Sequence, residues 1–93
     1  GHAPGLAVSA TKSMHGHLLG AAGAIEALAT VLALREGAIP PTAHLHGNLD
    51  PACEGVDHVF EGRRGVPLTA ALSNSFAFGG SNAVLAFRAA PAP

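Results

Sequence analysis

Two histidines and a lysine stand close together near the start of the sequence, just before a long apolar segment. Lys12 is followed by His15 and His17, and Gly16 separates the two histidines. A histidine in the first turn of a helix lies at the positive end of the helix dipole, which disfavours the charged imidazolium. A neutral imidazole there can donate an N–H hydrogen bond to a carbonyl oxygen that is becoming an enolate. His17 is therefore a candidate for stabilising an enolate, and a capping or packing role is the alternative.

A second candidate segment, Asn74–Asn82, combines aromatic residues with paired glycines. Gly79 and Gly80 can adopt φ values that side chains forbid, so backbone N–H groups there can turn towards a ligand. Phe76 and Phe78 provide an apolar wall beside them. As a link between two strands, nine residues exceed the usual hairpin loop of two to five, which favours a functional loop. An ordinary glycine turn is the alternative.

Predicted secondary structure places both segments next to strands. Leu6–Ala10 is predicted as a short strand that delivers the chain to Lys12, and Gly16–Glu36 as one long helix that ends at Gly37. The helix is apolar around nearly its whole circumference, which predicts burial on most sides. The remaining predicted elements are an extended segment at Pro40–Pro41, a loop at His44–Gly55, a short edge strand at Val56–Phe60, a polar turn at Glu61–Pro67, and strands at Leu68–Ser73 and Ala83–Arg88.

The composition is unusual for a free-standing domain of 93 residues. Charged residues make up 12% and hydrophobic residues 48%, with no Trp or Tyr, which leaves little polar surface to cover the chain. We therefore expect a segment of a larger body, with much apolar surface facing other parts of it. A net charge of −1 gives no electrostatic support for nucleic-acid binding. The single cysteine, Cys53, excludes an internal disulfide and suits a cytoplasmic location.

The apolar run Leu18–Leu34 has nearly the length of a membrane span. Glu26 lies near its middle, and a charge there costs ~2.5–3.5 kcal/mol even on the most lenient insertion scale. The run is therefore predicted to be a buried helix of a soluble protein, without a membrane partner.

Four motifs, in this order and spacing, closely resemble the C-terminal half of the β-ketoacyl-[acyl carrier protein] synthases of the elongating type. They are Thr11–Met14, Gly16–Gly23, Pro40–Thr42 and Asn74–Asn82. The resemblance runs from about Val8 to Arg88. It implies the α/β thiolase fold, in which two similar halves form α-β-α-β-α layers. Residues 1–88 would form the C-terminal synthase segment, and residues 89–93 are predicted to be a disordered tail.

The resemblance also implies an activity and its partners. The family elongates acyl chains by decarboxylative Claisen condensation with malonyl groups on acyl carrier protein, in fatty acid biosynthesis. The implied partners are acyl carrier protein carrying acyl or malonyl groups, and a second copy of the full-length enzyme in a homodimer. No cofactor and no metal are implied.

Site residues follow from the resemblance at matching positions only. His17 resembles the second histidine of the family's Cys-His-His triad, and Lys12 the lysine that supports the electrostatics of the site. Phe78 resembles the gating phenylalanine whose backbone N–H helps form the oxyanion hole. Gly79 and Gly80 resemble the glycines that let this loop move, and Phe76 is expected to contact substrate.

The chain departs from the family pattern in several places. It lacks the nucleophilic cysteine and the first histidine, which are expected in a preceding N-terminal half, so the isolated chain should be inactive. Cys53 is no substitute, because the acidic neighbours Asp50, Glu54 and Asp57 blunt the reactivity of its thiol. The family usually has Gly at Ala77 and Thr at Ser81, and Ala77 would stiffen the loop if φ had to be positive. His15 carries no expected catalytic role.

Three alternatives differ in the function they assign. A polyketide ketosynthase and a non-catalytic subunit that shapes chain length would both keep the fold. A metal-binding module would use His15 and His17 together with His44 and His46 as zinc ligands. That module is disfavoured, because residues at i and i+2 of a helix point in different directions.

Overall fold

The computed structural model describes residues 5–91, in which two helices and two short sheets form an α/β arrangement, as predicted. The β1 and β2 strands pair in parallel, and β3 and β4 form an antiparallel hairpin. In chain order the elements are β1 (Ala7–Val8), α1 (Lys12–His15), a 3-10 turn (Leu19–Ala21), α2 (Ala22–Glu36), a second 3-10 turn (Pro51–Cys53), β2 (Asp57–His58), β3 (Ala70–Ala77) and β4 (Ser81–Arg88).

The long helix starts later than the sequence predicts. One helix over Gly16–Glu36 is the prediction, but α2 begins at Ala22. Gly16 has φ 84° and ψ 176°, and Leu19 has φ 50°, so neither residue follows a right-handed helical path. The segment around His17 is therefore a loop between two helices and not the first turn of α2.

The predicted end of α2 is confirmed. The helix stops at Glu36, and Gly37 takes the left-handed conformation with φ 60°. The amides of Gly37 and Ala38 both donate to the carbonyl oxygen of Ala33, which satisfies the helix end. A Cβ on Gly37 would lie 3.0 Å from the carbonyl oxygen of Val66, so this position also allows a close backbone approach.

Burial of α2 is less than predicted. Ala22 is its one buried residue, and Leu28, Val31 and Leu32 are 52%, 43% and 43% exposed. Among the strands and helices, the β3–β4 hairpin is the main neighbour of α2, and much of the apolar surface of the helix stays open. The predicted burial on most sides is therefore not reached within residues 5–91, which agrees with the expectation that much apolar surface faces other parts of a larger body.

The nine-residue link between the last two strands is also a wrong prediction. The β3 strand continues through Asn74–Ala77, and β4 starts at Ser81, so only Phe78–Gly80 connect them. Asn74 and Ser75 look like loop residues, but alternation in the strand places Ser75 towards α2 and Asn74 away from it. The result is a hairpin loop of ordinary length.

Small side chains let α2 and the hairpin approach each other. Ser73 is 8% exposed, and a Cβ on Gly23 would lie 3.9 Å from Ser75 Oγ. The opposite face of the hairpin carries larger apolar residues that have no cover within residues 5–91. Leu72, Phe76 and Val84 are 61%, 72% and 53% exposed.

The long connection between α2 and β3 is held by backbone hydrogen bonds. Ile39 bridges to Arg63, the Thr42 amide donates to Val59, and the Val59 amide donates to Val8. Val59 is completely buried. The predicted edge strand at Val56–Phe60 is thus reduced to β2, whose pairing with β1 fixes the direction in which the chain enters the Lys12 segment.

The predicted tail at 89–93 begins with Ala89, whose amide donates to the carbonyl oxygen of Thr69. Residues 92 and 93 lie outside the described residues. None of the helices in the described part of the chain is long and apolar enough to cross a membrane.

Candidate active site

Lys12 is held in place by an ion pair with α2. Its Nζ lies 2.5 Å from Glu26 Oε2, and the two side chains are 41% and 17% exposed. Glu26 stands on an otherwise apolar stretch of helix, where a charge needs a partner. The pair therefore ties α1 to α2 and fixes the position of the ammonium group.

The position of His17 differs from the sequence prediction. It lies in the loop between α1 and the 3-10 turn, and its side chain is exposed. The helix dipole acts within the first turn only, and α2 begins at Ala22. The dipole of α2 therefore does not explain a neutral His17, contrary to the argument from sequence.

A hydrogen bond, and not the helix dipole, determines which nitrogen of the neutral His17 ring carries the proton. The Leu19 amide donates to His17 Nδ1 at 2.9 Å. An imidazole nitrogen that accepts a hydrogen bond carries no proton, so the neutral ring must carry its proton on Nε2. The described residues offer Nε2 no hydrogen-bond partner of their own, which leaves an N–H donor free for a ligand.

The residue that supplies this amide has a strained backbone. Leu19 has φ 50°, a left-handed conformation that costs a residue with a Cβ roughly 1–2 kcal/mol. Within residues 5–91, His44 is the other non-glycine residue with positive φ. Backbone strain of this kind is often found at active sites and ligand-binding sites.

His15 is bound quite differently from His17. Its Nδ1 lies 2.7 Å from the Gly16 carbonyl oxygen, and its Nε2 lies 2.9 Å from Thr11 Oγ1. A carbonyl only accepts, so Nδ1 carries the proton in the neutral ring and Nε2 accepts from the threonine hydroxyl. Both ring nitrogens are thus engaged locally, which agrees with the absence of a predicted catalytic role.

The candidate oxyanion segment forms the tip of the hairpin. Phe78 is fully exposed there, and Gly79 and Gly80 have φ 91° and 85°. The turn is closed by the Gly80 amide, which donates to Ala77 at 3.2 Å and leaves the amides of Phe78 and Gly79 outside this bond. Ala77 is extended within β3, so it does not need the positive φ that would have stiffened the loop at an alanine. Phe76 lies on the hairpin face that points away from α2.

The two candidate segments lie at the same end of the packed helix and hairpin. Gly23, in the first turn of α2, faces Ser75, which is close to the turn of the hairpin. The loop that carries His17 leads directly into that first turn. The structure thus brings the histidine loop and the Phe78 tip to a common edge, with Lys12 anchored beside α2.

The other predicted candidates stay apart from this edge. Cys53 is exposed at the end of a 3-10 turn, where its carbonyl oxygen contacts His58 Nε2 at 2.8 Å. Within residues 5–91, no three side chains of metal-binding type converge, so His15, His17, His44 and His46 do not form the four-histidine site that was considered.

Two residues of the site were missed in the sequence. Glu26 was not predicted as a site residue, although a single acidic residue in an apolar helix indicates a cation nearby. Leu19 gave no signal, because the need for a left-handed conformation is not visible in a leucine.

Comparison with known proteins agrees with these motifs. Residues 1–46 match the sequence model of the β-ketoacyl synthase C-terminal domain. The chain is 54% identical over 87 residues to 3-oxoacyl-[acyl-carrier-protein] synthase 2 of Synechocystis, which covers 94% of this chain and 20% of that protein. It is 50% identical over 88 residues to nodulation protein E of a Rhizobium species, covering 95% of this chain and 21% of that protein.

A third relative, 3-oxoacyl-[acyl-carrier-protein] synthase 2 of Coxiella burnetii, is 50% identical over 84 residues, which is 90% of this chain and 20% of the relative. The chain therefore spans about a fifth of the length of the curated relatives it matches. The similarity includes both the histidine loop and the hairpin, since the aligned region covers nearly the whole chain. This chain belongs to the β-ketoacyl synthase family, as part of its C-terminal domain.

Proposed function

We propose that the protein containing this chain is a β-ketoacyl-[acyl carrier protein] synthase, an acyltransferase of fatty acid biosynthesis. The observation that carries the proposal is the 2.9 Å bond from the Leu19 amide to His17 Nδ1. In the neutral ring this bond places the proton on Nε2, which is the tautomer that can donate to an enolate oxygen. The names of the synthase relatives support acyl carrier protein as the carrier of both substrates.

The reaction breaks one bond before it makes another. In malonyl thioester, the bond between the α-carbon and the carboxylate breaks and CO2 leaves. The electron pair of the broken bond stays on the thioester and forms an enolate. The enolate carbon then attacks an acyl group bound to a cysteine supplied by the rest of the protein. The new carbon–carbon bond forms as the cysteine thiolate leaves. His17 Nε2–H donates to the enolate oxygen in the first step.

Phe78 is proposed to act in the other half of the reaction. Its amide is not used to close the hairpin turn, so it can donate to the oxygen of the acyl thioester while the cysteine is acylated. Gly79 and Gly80 permit the turn that presents this amide, and Phe76 would line the path of the acyl chain.

Lys12 is proposed to add a fixed positive charge beside the enolate. The ion pair with Glu26 reduces the net charge but holds the ammonium in one place. A preorganised group of this kind stabilises developing charge without reorganisation during the reaction.

The uncovered apolar surfaces support a layered thiolase fold in the complete protein. Both the outer face of the hairpin and the open faces of α2 carry large exposed apolar side chains. Such surface needs cover, and a further half with the nucleophile would provide it. We further propose a homodimer in the cytoplasm, as in the family this chain resembles.

The proposal is tested by measuring cysteine acylation and malonyl decarboxylation separately in the full-length synthase. We expect His17→Ala to slow decarboxylation by ~10²–10³-fold, the usual effect of losing one preorganised donor. Acylation should change much less. His17→Gln, which keeps an N–H donor, should recover part of the loss.

His15→Ala is the matched control, because this neighbouring histidine makes only local hydrogen bonds. It should leave both steps within about twofold of the parent enzyme. Equal losses in both steps for His17→Ala would mean that this residue holds the fold, and an unchanged decarboxylation rate would remove it from the mechanism.

A further inference from the structure

The Pro40–Thr42 motif has no part in the proposed chemistry, but it lies against the segment that leads into the site. Its two prolines hold the backbone extended, because each ring fixes φ and Pro41 also restricts the residue before it. Neither proline has an amide hydrogen, so Thr42 is the first residue of the motif that can donate from its backbone. That amide donates to the carbonyl oxygen of Val59, which is completely buried.

Thr42 bonds on its other side to the chain that enters the site. Its Oγ1 accepts from the Ala10 amide at 2.8 Å, across 32 positions in the sequence. One residue before Ala10, the Ser9 hydroxyl donates to the carbonyl oxygen of Pro40. The motif is thus tied to the residues between β1 and α1 by two adjacent hydrogen bonds, and one of them uses the threonine hydroxyl.

The α1 helix needs such an anchor because it cannot fix its own position. It has four residues, far fewer than an isolated helix needs, and Thr11 at its start makes no side-chain capping bond. The Thr11 hydroxyl contacts His15 Nε2 instead. Lys12 is the first residue of α1 and follows shortly after Ala10. The path of the chain into Lys12 is therefore set by whatever holds Ala10.

We propose that Thr42 is a positioning residue, whose hydroxyl holds the Ala10 amide and thereby places Lys12 for its ion pair with Glu26. The inference rests on the proposed function, because it gives the hydroxyl a task that acts through the charge beside the enolate. Lys12 is then fixed at two points, its backbone by the Pro40–Thr42 motif and its ammonium group by Glu26. The required group is the hydroxyl, because its loss takes this acceptor from the Ala10 amide.

Two substitutions at position 42 of the full-length synthase separate the hydroxyl from the rest of the side chain. Thr42→Val keeps the β-branch but removes the acceptor, whereas Thr42→Ser keeps the acceptor and removes a methyl group. We expect malonyl decarboxylation to fall by about threefold in Thr42→Val and to stay within about 1.5-fold in Thr42→Ser. Cysteine acylation should not change measurably in either variant. Equal losses in both half-reactions would overturn the proposal and assign Thr42 to the stability of the fold.

Thr30→Val is the matched control for removing a threonine hydroxyl. Thr30 is half-buried like Thr42, and its hydroxyl donates to the carbonyl oxygen of Glu26 at 2.8 Å, within one turn of α2. Because this bond joins no separate segments, its removal should leave both half-reactions within about 1.5-fold of the parent enzyme. A loss of decarboxylation as large as that of Thr42→Val would overturn the proposal, since any lost hydroxyl would then have the same effect.

A second background tests whether Thr42 acts through the ion pair. In Glu26→Gln, Lys12 has lost its charged partner, so adding Thr42→Val should slow decarboxylation by less than about 1.5-fold further. An undiminished threefold effect in this background would show that Thr42 does not act through Lys12 and Glu26, and would refute the proposed link.

Amide hydrogen exchange, measured by mass spectrometry on the full-length synthase, tests the anchor independently of activity. The peptide that covers Ala10 and α1 should exchange about fivefold faster in Thr42→Val and at the parent rate in Thr42→Ser. The β3–β4 hairpin should exchange as in the parent in both variants. Unchanged exchange of the Ala10 peptide in Thr42→Val would refute the role of Thr42 even if His17 proves essential. If His17→Ala leaves decarboxylation unaffected, the proposed function fails, and the exchange result still decides whether Thr42 anchors α1.

Discussion

The histidine loop and the hairpin tip reach the same edge of the molecule, but their geometry is fixed in different ways. In the loop, Lys12 is paired with Glu26 and the His17 ring accepts from Leu19, so its polar groups are positioned by this chain. At the tip, Phe78 is fully exposed, and a Cβ on Gly79 or Gly80 would meet nothing within 4 Å. The proposed donor for decarboxylation is therefore held by contacts within this chain, whereas the described residues make no comparable contact with the side chain at the tip.

The sharpest way to test this difference is to remove the freedom of the tip. Gly79→Ala places a side chain at φ 91°, where L residues are strained. In the full-length synthase we expect acylation to fall by about tenfold, with decarboxylation affected less. The two half-reaction rates measure this directly.

Gly55→Ala is the matched control, because Gly55 has the same φ of 91° and also has open space around it. Both variants should lose a similar amount of thermal stability, of order 1 kcal/mol. If Gly55→Ala also slowed acylation, strain transmitted through the fold would explain the result and the tip would lose its special role.

A smaller effect is expected from breaking the Lys12–Glu26 pair. A double-mutant cycle uses Lys12→Met, Glu26→Gln and the variant with both changes. We expect the loss of condensation rate in the double variant to be smaller than the sum of the two single losses. Because Lys12 is partly exposed, we expect a coupling of about 0.5–1 kcal/mol, or roughly two- to fivefold in the condensation rate.

The exposed Arg35–Glu36 contact of 3.6 Å provides the comparison for this cycle. Glu36→Gln should change neither the acylation rate nor the decarboxylation rate measurably, since both side chains of this pair are mostly exposed to solvent. Strictly additive losses for Lys12 and Glu26 would show that the ion pair does not position the lysine, and the contrast between loop and tip would weaken.

The smallest effect concerns the scaffold that leads into the loop. Arg63 donates two hydrogen bonds to Asp57, at 2.8 and 2.6 Å, and these bonds hold the pKa of Asp57 below its usual value of 3.8. A lowered pKa adds stability that is fully present above about pH 4 and is lost as pH falls through the lowered value. Asp57→Asn should therefore reduce the loss of stability in acid, measured as the urea midpoint between pH 2 and 5.

Arg63→Met should abolish the same part of the pH dependence, because it removes the donor that lowers the pKa. Neither variant should change the relative rates of the two half-reactions at neutral pH. A selective loss of decarboxylation in Asp57→Asn would mean that the β1–β2 pairing controls the histidine loop more directly than the hydrogen bonds suggest.

Local signals in the sequence predicted the parts of the fold that depend on neighbouring residues. The end of α2 at Gly37 is one example, because a left-handed glycine and two bonds to Ala33 lie within a few positions of each other. The general order of helix and strands is another. These features need no knowledge of the rest of the chain.

Other features of the fold and the site depend on contacts between residues that are distant in the sequence, which a local residue pattern does not reveal. Lys12 and Glu26 are fourteen positions apart, so their pairing appears only once α1 folds back beside α2. Asn74 and Ser75 suggested a loop, although Ser75 lies where a small side chain is needed for the hairpin to meet Gly23. The start of α2 was misplaced because Leu19 adopts a conformation that its residue type does not favour.

The pairing of β1 with β2 has a consequence for the order of folding. The β3–β4 hairpin joins residues close in sequence and can form in about 1–10 μs. The parallel pair joins Ala7 to Asp57, about fifty positions away, which requires closing a long loop first. We therefore expect α2 and the hairpin to assemble early and the β1–β2 contact to form late. Because β1 leads into α1 and from there into the loop that carries His17, the geometry of the proposed site would be among the last parts of this domain to be established.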